Sequence, residues 1–139
     1  MRAHCGEPSE VEHNEPILVV PGGWGTRQQI NHAPVIEWIK ATADRAELIL
    51  SVCTEALLLA KAGLLDGLSA HHSALDLLQE VAPSTLVRRD QRVVDNGKIV
   101  IAAGISAGID ASLHVIERLL GNTVARETAE YMEYRGNWA

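Results

Sequence analysis

Among the residues able to do covalent chemistry, Cys53 has the most telling setting, at the end of an apolar run and the start of an Ala/Leu-rich one. Residues 46–52 (AELILSV) carry no charge after Glu47 and read as a buried strand of a parallel sheet. Residues 55–62 (EALLLAKA) read as a helix stopped by Gly63. Cys53 sits on the turn between them. Backbone N–H groups at a helix start, together with the helix dipole, favour a thiolate over a thiol. The same strand, sharp turn and helix presents a nucleophile in hydrolase elbows, where the N–H after the nucleophile can serve an oxyanion hole. A free cysteine is also a good small buried apolar residue, and that reading stays open.

A second segment points to the same place. Residues 16–26 (PILVVPGGWGT) form another apolar strand, interrupted by Pro21 and running into a glycine-rich loop. In an open α/β sheet, ligands bind beyond the carboxyl ends of the strands, so Gly22, Gly23 and Trp24 are expected to face the crevice that holds Cys53. Glycines there let backbone N–H groups approach a bound oxyanion. Turn chemistry alone would account for them equally well.

In unbroken order, LVVPGGWGT (18–26), SVCTEALLLAKAGLLDG (51–67), AAGISAGID (102–110) and YMEYRGNW (131–138) resemble the ThiJ/PfpI superfamily, which is class I glutamine amidotransferase-like. The likeness is greatest to its isocyanide-hydratase-like and regulator-associated branch and runs from about residue 16 to 138. The resemblance implies a flavodoxin-like three-layer α/β sandwich with a mostly parallel sheet, and a nucleophilic Cys53. It further implies an oxyanion pocket from the Gly23 and Thr54 amides, a histidine after the LLDG motif, and a homodimer.

The chain departs from the family pattern in three places. The family opens on a strand whose loop carries an acid hydrogen-bonded to the cysteine; residues 1–15 (MRAHCGEPSEVEHNE) are a polar segment without an apolar run. The position usually filled by glycine is Glu55, which on a regular helix lies about 200 degrees around from Cys53 and so is a poor substitute for that acid. The family's ATTH-type segment appears as Ser69 to Ala74, where His71 and His72 both offer an imidazole; the resemblance favours His72. A partly exposed strand end is the plainer reading of the pair. Without the family's first strand, residues 17–20 form an unpaired apolar edge, which a homodimer or higher oligomer would cover.

The chain of 139 residues, 47% of them hydrophobic, is the size of one domain with a real core. The expected division is a polar segment, 1–15, followed by one α/β domain, 16–139. Phenylalanine is absent, so Leu, Ile, Val and Ala must build that core. With 12 basic and 18 acidic residues the net charge is −6, and the longest basic run is Arg88-Arg89, which argues against nucleic-acid binding. There is no secretory leader and no run near the roughly 20 residues of a membrane span. Cys5 and Cys53 lie far apart in unlike settings, the usage of a reducing cytoplasm rather than of a disulfide framework. His4, Cys5 and His13 match no standard zinc spacing, and neither metal nor cofactor is expected.

The other elements alternate. Helices are expected at 34–43, 73–81, 106–120 and 124–131, and a short strand at 85–87. Residues 92–101 read as a hairpin in which Asn96-Gly97 supplies the positive φ angles. In the longest helix Ile109, Leu113, Ile116 and Leu120 form the expected inward stripe, and Asp110 a structural carboxylate near the helix dipole. Trp24 is expected at the pocket mouth, at an interface, or simply packed. Tyr134 and Trp138 are expected at a subunit contact.

The leading expectation of function is a cysteine-dependent hydratase or hydrolase acting on a small electrophilic molecule, isocyanide-hydratase-like. The alternative is a non-catalytic small-ligand or thiol redox-sensing module that lacks the acidic partner.

Overall fold

The uncharged run ahead of Cys53 is an interior strand, as its continuous apolar character requires. The computed structural model describes residues 17–71 and 75–136. In chain order the elements are β1 (Ile17–Val20), α1 (Thr26–Gln29), α2 (Ala33–Arg45), β2 (Leu48–Val52), a 3₁₀ turn (Cys53–Glu55), α3 (Ala56–Lys61), β3 (Ser69–His71), α4 (Leu75–Val81), β4 (Leu86–Arg88), β5 (Val93–Asp95), β6 (Ile99–Ala102), α5 (Ser106–Leu120) and α6 (Asn122–Tyr131). The main sheet runs β1-β2-β6-β5, parallel except for β5. A separate parallel pair joins β3 to β4. The fold is the expected α/β sandwich. No described helix is long and apolar enough to cross a membrane.

Side-chain alternation divides the core between the two faces of the sheet. Leu18, Ile49 and Ile101 join Ile36 and Ile39 of α2, Leu57 and Leu59 of α3 and Leu78 of α4 on one face. Leu48, Leu50, Val100 and Ala102 meet Ala107, Ala111 and Val115 of α5 on the other. β1 lies at the edge, paired with β2 alone among the described residues, and Val19 on it is 42% exposed. The expectation of no strand in residues 1–15 falls outside the described residues.

Three sequence expectations are corrected. The inward face of α5 is not the stripe of large residues: Leu120 is exposed and Ile109 and Ile116 only half-buried, whereas Ala107, Ala111 and Val115 face the sheet. The helix sits so close to β2 that a Cβ on Gly108 would lie 2.8 Å from Val52 Cγ1. Small residues must therefore take the contact side, and side-chain size misleads. The hairpin turn is also shifted by one. Asp95 pairs with Val100, which leaves Gly97-Lys98 as the two-residue loop. Only Gly97 has positive φ, +86°, the pattern of a turn with glycine first. Asn96 is occupied elsewhere: its side chain accepts from Ser69 N–H at 2.9 Å and donates to Ser69 C=O at 2.8 Å, joining the hairpin to β3. Third, Asp110 is more than a carboxylate near the helix dipole: its Oδ1 accepts from Tyr134 Oη of the same chain at 2.8 Å. Asp110, 1% exposed, also accepts from Arg92 Nη2 at 2.8 Å, so it is a buried partner of two segments. Trp138 lies outside the described residues.

Gly108→Ala should crowd Val52 and destabilise the protein by about 1–3 kcal/mol, measured by chemical denaturation.

Candidate functional site

β2 ends on Val52 in extended conformation, and the chain then turns sharply at Cys53 with φ +64°. Left-handed backbone costs a non-glycine residue roughly 1–2 kcal/mol, so the surroundings must hold it. Two contacts do so. The Cys53 amide donates to Ala103 C=O at 3.3 Å, tying the turn to the end of β6. Gly22, at the end of β1, lies so close that a Cβ there would be 2.7 Å from both Cys53 Cβ and the Val52 carbonyl oxygen. Only hydrogen fits.

These residues line a cleft of about 760 Å³ at the carboxyl ends of β1 and β2. Gly22, Gly23 and Trp24 form one wall, and Val52, Cys53, Thr54 and Leu57 the floor. Arg27, Asp76, Leu77 and Ile105 complete the rim. The structure thus brings together Cys53, Thr54, Gly22, Gly23 and Trp24, all singled out from the sequence. Cys53 and Thr54 are half-buried, and among the described residues the Gly23 and Thr54 amides donate to nothing. Trp24 is 90% exposed, with Arg27 Cζ 6.0 Å from its ring centroid, so it stands at the mouth and does no core packing. Ile105 opposite is equally exposed and holds φ +42°, unusual for a β-branched residue.

His72 lies outside the described residues. His71 ends β3, half-buried, and is not among the described residues lining the cleft. The buried carboxyl groups among the described residues bond elsewhere, Glu55 to Thr26 and Asp110 to Arg92 and Tyr134. No cluster of three or more His, Cys, Asp or Glu is placed to hold a metal among the described residues; His4, Cys5 and His13 lie outside them.

Sequence reasoning missed the environment of Glu55. The sequence places Glu55 on a regular helix, about 200 degrees around from Cys53, and says nothing of its burial; in the structure it lies on a 3₁₀ turn and is 5% exposed. Its Oε1 lies 2.5 Å from Thr26 Oγ1, which is also 2.8 Å from Gly23 C=O and 3.1 Å from Thr54 Oγ1. Burial raises the Glu55 carboxyl above the usual carboxylate range, with the Thr26 contact acting against that rise. The signal available in the sequence was a carboxylate bounded by Leu50-Ser51-Val52 on one side and Ala56-Leu57-Leu58 on the other. Arg27, Asp76 and Ile105 carried no local signal, since each reaches the cleft from a different element.

Known proteins resemble the chain in both sequence and fold. The DJ-1/PfpI family matches residues 8–118. Isonitrile hydratase of Pseudomonas putida is 33% identical over 120 residues, which are 85% of this chain and 51% of the hydratase. The HTH-type transcriptional regulator GbdR of Pseudomonas aeruginosa is 29% identical over 132 residues, 91% of this chain and 35% of the regulator. The crystal structure of a ThiJ/PfpI family protein from Pseudomonas syringae superposes with a TM-score of 0.80 at 30% identity, covering 91% of this chain and 52% of that one. The chain spans about half the length of the hydratase and about a third of the regulator.

The two cleft glycines should respond differently to a methyl group. Gly22→Ala should destabilise the fold by about 1–3 kcal/mol because neither backbone nor Cys53 Cβ can give way. Gly23→Ala, whose Cβ meets nothing within 4 Å, should stay within about 0.5 kcal/mol in the same denaturation assay.

Proposed function

The chain belongs to the DJ-1/PfpI family, and from that premise we propose that it catalyses cysteine-dependent hydration or hydrolysis of a small electrophilic molecule, with Cys53 as nucleophile. The observation that carries this reading is the left-handed turn at Cys53, which sets a half-buried thiol in the cleft lining together with Gly23 and Thr54, whose amides donate to nothing among the described residues. Strain of this kind persists where a site needs it.

For an isocyanide, the Cys53 thiolate attacks the terminal carbon, and the electron pair left on that carbon takes a proton to give a thioimidate, R–N=CH–S. Water then adds to that carbon, the C–S bond breaks and the thiolate leaves, so that R–NC and H₂O give the N-formamide R–NH–CHO. Gly23 and Thr54 N–H groups stabilise negative charge as it develops, and Gly22 keeps the loop against the elbow. Trp24 covers the mouth, and the apolar walls of Val52, Leu57 and Leu77 favour an apolar substituent R. The proton comes from His72, a water or a partner subunit. Similarity to the isonitrile hydratase of Pseudomonas putida supports the choice of substrate.

A second reading, small-ligand or redox sensing without turnover, draws on the regulator relative and on the Glu55 carboxyl being bonded to Thr26. In either case a second copy of the chain covers Val19 and the β1 edge that is unpaired among the described residues, giving a homodimer that binds a small molecule rather than nucleic acid or a membrane.

Isocyanides, glyoxals and aldehydes incubated with the protein should yield hydrated product, at least about 10²-fold less with Cys53→Ser. Rapid alkylation of native Cys53 at about pH 6 without turnover of any of these compounds favours sensing. An inert Cys53 sinks both thiol-based readings. Sedimentation should show a dimer at micromolar concentration, and a monodisperse monomer there removes the edge-covering interface.

A further inference from the structure

The hydroxyl of Thr26 is 2% exposed and within hydrogen-bonding distance of three oxygens. A threonine hydroxyl has one proton to donate and two lone pairs with which to accept. Gly23 C=O can only accept, so the proton of Thr26 satisfies that contact at 2.8 Å. Thr54 Oγ1, at 3.1 Å, can donate to the first lone pair. The remaining contact, Glu55 Oε1, completes the set only if the carboxyl is the donor.

The ionised alternative fits worse. It turns the Thr26 proton toward Glu55 and away from Gly23 C=O, which then keeps only the longer bond from the Thr26 backbone N–H at 3.3 Å. It also leaves a charge beside Oε2, which is fully buried and has no hydrogen-bond partner among the described residues. A buried carboxylate in that position lacks what stabilises the charged form.

We propose that Glu55 is a neutral acid that works as a positioning residue: its O–H, through Thr26, fastens the Gly22–Gly25 loop to the Cys53–Glu55 turn and fixes the Gly23 and Thr54 amides on either side of Cys53. The assignment of a use to those amides rests on the reading under Proposed function; the assignment of the proton does not. Burial acts on this carboxyl in the same direction, upward. The charges on the surrounding elements, Arg27 of α1, Lys61 of α3, Asp76 of α4 and the exposed charges of α2, do not act on it; burial and Thr26 do.

Infrared spectroscopy tests the proton directly. Near neutral pH the wild-type protein should show a protonated-carboxyl C=O stretch that shifts in D₂O, persists in Cys53→Ser and is missing from Glu55→Gln. Identical wild-type and Glu55→Gln spectra in that region overturn the assignment. The folded carboxyl holds its proton more tightly than the unfolded one, so its stabilisation is complete below the ordinary value of 4.5 and is lost as pH climbs through the raised value. Glu55→Gln should therefore gain thermal stability relative to wild type as the pH is raised above the ordinary value of 4.5, and a difference that stays constant with pH counts against the proposal.

Hydrogen exchange tests the positioning. Thr26→Val should speed exchange of the 22–26 and 53–55 amides by about tenfold or more, while Glu55→Gln, whose amide N–H still donates to Thr26, keeps them protected. Unchanged exchange in Thr26→Val, with the fold intact, removes the positioning role. Should Thr26→Val fail to fold, the infrared and Glu55→Gln measurements decide. An inert Cys53 in a protein that shows the carboxyl band defeats the functional reading and leaves Glu55 as assigned; a reactive Cys53 without the band does the reverse.

Discussion

The left-handed backbone of Cys53 is the constraint on which the rest of the site depends. A parallel strand delivers its chain at one end of the sheet, and to bring a side chain up at that end the chain must turn before the next helix can begin. Cys53 makes that turn in a conformation that costs a residue with a Cβ roughly 1–2 kcal/mol. It is sustained from two sides, by the Ala103 carbonyl at the end of β6 and by Gly22 at the end of β1. Both neighbours of β2 therefore contribute to holding the thiol. An interior strand makes this possible, since an edge strand offers only one neighbour.

The same requirement shapes the helices on either face. On the α5 side, Ala107, Gly108 and Ala111 let the helix approach β2 closely, and Gly108 meets Val52, the residue just before the turn. On the other side, α3 contributes Leu57, Leu58 and Leu59 to the larger core cluster. Buried carboxyls occur on both faces. Asp110 is matched by Arg92 and Tyr134. Glu55 hydrogen-bonds the Thr26 hydroxyl, and its second oxygen has no hydrogen-bond partner among the described residues.

How much of this was legible in the sequence depended on how local the cause was. The strand at 48–52, the helix after it and the stop at Gly63, φ +75°, follow from neighbours in the chain, and the sequence showed them. So did Gly22, Gly23, Trp24, Cys53 and Thr54 as one cleft, because the rule that sites form at the carboxyl ends of parallel strands needs only two strands to be identified. What stayed hidden was set by packing. The register of β5 against β6 moved the hairpin turn from Asn96-Gly97 to Gly97-Lys98, with Asn96 drawn off to β3. The closeness of α5 to the sheet reversed its apparent inward face. Glu55 was misplaced because a 3₁₀ turn advances its residues differently from the regular helix assumed for it.

The distribution of polar groups in the cleft also bears on which reactions suit it. Backbone donors aimed at developing charge are commonly worth about 10²–10³-fold each, and a positioned acid or base about 10²–10⁴-fold. The described part of the cleft offers donors beside Cys53, while the Glu55 carboxyl is turned inward to Thr26 and Asp76 belongs to the lining. On the proposed reading, such a site gains most from substrates whose barrier is dominated by charge appearing at an electron-poor carbon, and least from those that need a proton delivered to a poor leaving group. Hydration of an isocyanide has no leaving group to expel and meets that condition; hydrolysis of an amide does not. The arrangement of donors around Cys53 thus favours hydration over hydrolysis within the proposed pair.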